Sequence, residues 1–77
     1  MRTVVEIDGM RARFAIQAVE TALATLHGIE QAEVGLGRVI LEHSGALDDA
    51  AITQAIELAG FKVRRIRVER RLKIVDR

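Results

Sequence analysis

Six glycines cut this 77-residue chain into segments whose apolar residues repeat either every second position or every three to four. Thr3-Val4-Val5-Glu6-Ile7 is rich in β-branched residues and stops at Asp8-Gly9, so it reads as a strand followed by a turn. From about Arg11 to Leu26 the spacing becomes helical, with Phe14, Ala18, Ala22 and Leu26 on a stripe widened by Ile16, Val19 and Leu23. Gly28 suits the left-handed residue that ends such a helix. Residues 29–36 alternate as a second strand, with Ala32, Val34 and Leu36 on one face. Gly35-Leu36-Gly37-Arg38 fits a tight hairpin turn, and Val39 to His43 forms the third strand. After Ser44-Gly45, Asp48 or Asp49 is placed to cap a second helix carrying Ile52, Ala55, Ile56 and Ala59, and Gly60 ends it. Phe61-Lys62-Val63 opens a fourth strand.

The order is β-α-β-β-α-β. Right-handed crossovers and pairing of adjacent strands then predict an α+β sandwich of the ferredoxin-like kind. It consists of a four-stranded antiparallel sheet with two helices on one face. This arrangement gathers the loop after the first strand, the hairpin and the Gly60-Phe61 turn at one end. His27, His43 and Asp48 fall at the other, where each histidine is expected at the surface.

In the last stretch, the step from Val63 to Ile66 breaks the two-residue period and predicts a bulge near Arg64-Arg65. Alternation then continues through Val68, Leu72 and Ile74 to Val75. An overlong strand of this kind can add to another sheet edge, so residues 66–75 are a candidate homodimer strand through Ile66, Val68, Leu72 and Ile74. Residues 1–69 read as one domain and residues 70–77 as a basic strand extension or tail.

Composition narrows the chemistry. There is no cysteine, hence no disulfide, thiolate site or cysteine nucleophile. Phe14 and Phe61 are the only aromatics, so the core must be aliphatic. No apolar run nears the roughly 18 residues of a membrane span, and the first residues reach Glu6 too early for a secretion signal. A cytoplasmic protein is the expectation. Residues 62–77 hold eight basic and two acidic side chains, whereas residues 1–61 hold four basic and nine acidic ones. An asymmetry of this kind can serve an anionic partner or merely solvate a strand.

Residues 4–61 resemble the heavy-metal-associated domain of copper chaperones and of the N-terminal modules of metal-transporting P-type ATPases. Three segments carry the resemblance. They are Asp8-Gly9-Met10 running into a helix with Ala18-Val19-Glu20-Thr21-Ala22-Leu23, the stretch from Leu26 to Val34, and the second helix from Ile52 ending in Gly60-Phe61. The family places two metal-binding cysteines, two residues apart, in the loop after glycine-methionine. This chain reads Gly9-Met10-Arg11-Ala12-Arg13-Phe14-Ala15 there, so Ala12 and Ala15 stand at the cysteine positions. Alanine has no lone pair to give a soft metal, and two arginines beside the site repel a cation. No metal ligand and no cofactor are therefore assigned. The resemblance implies a core-packing role for Met10.

The expected function is that of a non-enzymatic protein-interaction or regulatory module in metal handling. It would dock a partner, acidic by charge complementarity, through Met10, Arg11, Arg13, Phe14, Arg38, Phe61 and Lys62. The alternatives are weak metal binding through non-cysteine ligands and anion binding at the Arg11/Arg13 helix start. Acylphosphatases share the fold, but they need an asparagine and this chain has none. Base-stacking aromatics of RNA-recognition domains are missing from the first and third strands, which disfavours nucleic acid.

Overall fold

The computed structural model describes residues 1–69. It contains β1 (Arg2–Asp8), α1 (Arg13–Leu23), β2 (Ile29–Gly35), β3 (Arg38–His43), α2 (Asp49–Leu58) and β4 (Lys62–Glu69). The strands form one antiparallel sheet in the order β2-β3-β1-β4. Alternation sends Val5 and Ile7 of β1 and Val39 and Leu41 of β3 to the face covered by both helices. There they meet Ala15, Val19 and Leu23 of α1 and Ile52 and Ile56 of α2. Each fully buried Val, Leu or Ile contributes about 1.5–3 kcal/mol; the buried members of this core are non-aromatic, and Phe61 packs against its edge.

The bulge falls where the broken period predicts it. Glu6 pairs with Arg65 and Ile7 with Val63, leaving Arg64 as the extra residue of β4. That insertion returns Val63 and Ile66 to the same core-facing side despite their odd separation. The opposite edge has a counterpart: Ile29 pairs with His43 and Gln31 with Glu42, so Glu30 is extra in β2.

Three expectations are corrected. Helix α1 is shorter than residues 11–26, because Ala12 is extended (φ −145°, ψ 166°) and offers no side-chain cap. At its other end Thr25 Oγ1 donates to the Ala22 carbonyl, and Leu26 N–H bonds to Leu23 rather than one residue further back. The buried stripe of α1 is Ala15-Val19-Leu23, whereas Phe14 is 70% exposed. With the helix starting at Arg13, Ala15 is the first-turn residue that faces the sheet, and Phe14 points away. Strand β2 ends at Gly35 instead of 36, while the Gly35–Arg38 pair closes the expected hairpin; Leu36 is in its turn, 56% exposed, and does not share a strand face with Ala32 and Val34. Gly37 makes that turn possible with φ +82°.

Helix α2 begins as predicted, with the Asp48 carboxylate accepting from Ala50 N–H at 3.0 Å. The uncovered face of the sheet is polar. Arg2 bridges Glu42 at 3.2 Å and Glu69 at 4.0 Å across three strands.

Candidate functional site

The loop between β1 and α1 is fixed from both sides. Gly9 turns the chain with φ +95°, and a Cβ there would lie 3.6 Å from the Phe61 ring. Met10 follows, buried in the core cluster. Arg11 is exposed and Ala12 half-buried. Ala12 accepts from Ala15 N–H at 2.9 Å, closing the first turn of α1. Ala15 is 0% exposed and packed among core side chains. The pair Ala12/Ala15 therefore sits at a helix start with methyl groups where donor atoms would be required.

A soft metal does not fit this loop. It offers neither thiolate nor imidazole nor carboxylate, its one thioether is buried in the core, and Arg11 and Arg13 flank it. Among the described residues, no group of three or more His, Cys, Asp or Glu side chains could hold a metal ion.

The three predicted segments do meet at this end. Ile7 N–H donates to the Gly37 carbonyl at 2.9 Å, holding the hairpin against β1, and the Phe61 ring lies beside Gly9. Arg11, Arg13 and Phe14 stand together at the start of α1, all exposed, and Phe61 is half-buried. Lys62 pairs across β4 with Asp8, and Arg64 reaches the Asp8 carboxylate at 3.5 Å. Arg38 is set apart, because it lies on the uncovered sheet face opposite Glu6. Leu36, in the hairpin turn and exposed, is an apolar residue of this end that the candidate docking set omitted. Of the candidate dimer strand, Ile66 pairs with Val5 and is half-buried, and Val68 pairs with Thr3 and is exposed. Leu72, Ile74 and the 70–77 extension lie outside the described residues.

At the opposite end His43 is not the surface residue expected. It is 2% exposed, with Nε2 2.7 Å from Thr3 Oγ1 and Nδ1 against the Gly45 carbonyl. A carbonyl only accepts, so Nδ1 carries a proton; in the neutral ring Nε2 then accepts from the Thr3 hydroxyl. Both ring nitrogens are thereby committed to the fold. His27 is exposed and stays with Asp48 on the rim of a shallow cavity over Leu47 and Ile52.

No family model and no curated protein matches the sequence. Solved structures do. The CopZ metallochaperone aligns with 27% identity and TM-score 0.74 over 83% of this chain and 100% of its own. A copper binding domain from HMA7, a P-type ATPase, aligns with 29% identity and TM-score 0.71 over 83% and 92%. The PacS N-terminal domain from Synechocystis PCC6803 shares the fold at 23% identity and TM-score 0.70 over 83% and 94%. In fold, strand order and sequence, this chain resembles the heavy-metal-associated domains and has no cysteine with which to form their metal motif.

Proposed function

We propose that the chain is a non-enzymatic docking module that keeps the frame of a metal-carrying domain and binds a protein partner in place of a metal ion. The observation that carries this reading is the composition of the loop end. Phe14 stands 70% exposed in the first turn of α1, directly after the exposed Arg11 and Arg13. A large apolar side chain exposed among cations suits an apolar anchor ringed by charges that steer an acidic partner. A setting in metal handling is supported by the likeness to a metallochaperone and to a domain of a P-type ATPase.

The test is capture of partners from the source cells with the wild-type chain and with the Arg11→Glu/Arg13→Glu variant. Proteins lost with the reversal and retained by an Arg2→Glu control on the uncovered sheet face support docking through the loop end. A capture profile indifferent to the reversal contradicts it.

A further inference from the structure

The outer surface of the two helices meets the loop end only at Phe14. Where α1 and α2 lie side by side, a groove of about 500 Å³ runs between them. It is lined by Ala18, Thr21, Ala22 and Thr25 from α1 and by Ala55, Leu58 and Ala59 from α2. Leu58 is 81% exposed, the most exposed large apolar residue among those described. Phe14 lies one turn before Ala18 on the same face of α1. The helices run in opposite directions along the sheet, so Phe14 at the start of α1 and Leu58 at the end of α2 approach the same end of the groove.

No charged side chain belongs to this strip. The charged residues of the helices are Arg13, Glu20, Asp49 and Glu57; Glu20 and Glu57 lie on the sides of their helices turned away from the groove. In a chain that is 30% charged, this neutrality is local. The uncovered sheet face carries arginine and glutamate, and both edge strands have a charged extra residue, Glu30 or Arg64, at a bulge. Such bulges blunt an edge against strand addition.

We propose that the inter-helix strip is a self-association surface, and that its occupant is a second copy of this chain. The face carries both halves of a self-complementary contact, a protruding leucine and an uncharged groove walled by alanine and threonine. A two-fold axis in its plane would lay Leu58 of each copy into the groove of the other, the geometry an isologous dimer requires. Truncating a buried leucine to alanine leaves roughly 150 Å³ in a well-studied core, so the groove has room for an incoming leucine. Two uncharged faces meet without like-charge repulsion. Two helices of about 16 Å, about 10 Å apart, offer only a few hundred Å² per copy. That is the small, transient class of interface.

Sedimentation velocity on the full chain, from about 5 µM to 1 mM, tests this directly. Wild type should rise from the monomer mass toward twice that value. Leu58→Glu, at a position exposed enough not to disturb folding, should raise the dissociation constant at least tenfold. Ala22→Gln, which fills the groove and leaves the loop end untouched, should do the same, with an unchanged circular dichroism melt as the control. A monomer across the whole range overturns the proposal. So does a dimer that withstands both substitutions and dissolves with Val68→Asp, because the contact would then belong to β4.

Discussion

The two ends of the sheet handle their polar groups in opposite ways. At the end bearing His43, the imidazole is buried, and both nitrogens are engaged by Thr3 and Gly45. At the end bearing Arg11 and Arg13, the cations are exposed beside an exposed Phe14. A buried polar group is held by its partners, because leaving one unsatisfied costs about 1–3 kcal/mol. Exposed charges cost the fold little, and substitutions there usually stay within about 0.5 kcal/mol. Histidine at one end therefore serves stability, whereas arginine at the other contributes little to it. Residue type alone would have suggested the reverse, with histidine as the candidate ligand.

The contrast can be broken most strongly at His43. His43→Ala empties a buried site and strips Thr3 of its acceptor, and should lower unfolding free energy by roughly 2–4 kcal/mol. In urea denaturation a loss below about 1 kcal/mol would show that the imidazole is not the anchor of this end. Thr3→Val keeps the shape and leaves Nε2 without a donor, so about 1–3 kcal/mol should be lost. In a domain this small, each kcal/mol moves the melting temperature by about 4–8 °C, which calorimetry resolves. Asp48→Ala removes the carboxylate that caps α2 and should cost about 1 kcal/mol, read from the same melts. Arg11→Glu/Arg13→Glu should change the melt least, by about 0.5 kcal/mol or less, while removing partner capture. A large destabilisation by that pair would mean that the arginines hold the loop together and are not reserved for contacts.

Much of this architecture was legible before any coordinates. Glycine positions and changes of period marked all six elements, and the odd spacing of Val63 and Ile66 revealed the bulge at Arg64. What escaped depended on register and phase. Leu36 reads both as the last step of the β2 alternation and as part of the Gly35–Arg38 turn, and the Gly35–Arg38 pair decides for the turn. Phe14 lies on a plausible helical stripe, and only the start at Arg13 turns it outward. His43 sits at an inward position with Val39 and Leu41, but its burial requires Thr3 to face it from β1, a pairing across 40 residues. The candidate site was legible in part. Ala12 and Ala15 could be read directly as lacking metal-ligand atoms, but the separation of Arg38 from Arg11 and Arg13 is a property of the two sheet faces.

The central claim is that a metal-carrying frame persists here without the atoms that bind metal. Native mass spectrometry under reducing conditions addresses it, with Cu(I), Zn(II) and Ni(II) offered in turn to the wild-type chain and to Ala12→Cys/Ala15→Cys. The account predicts no adduct on the wild type that survives a competing chelator, and a one-to-one Cu(I) adduct on the double variant. Stoichiometric, chelator-resistant metal on the wild-type chain would contradict it.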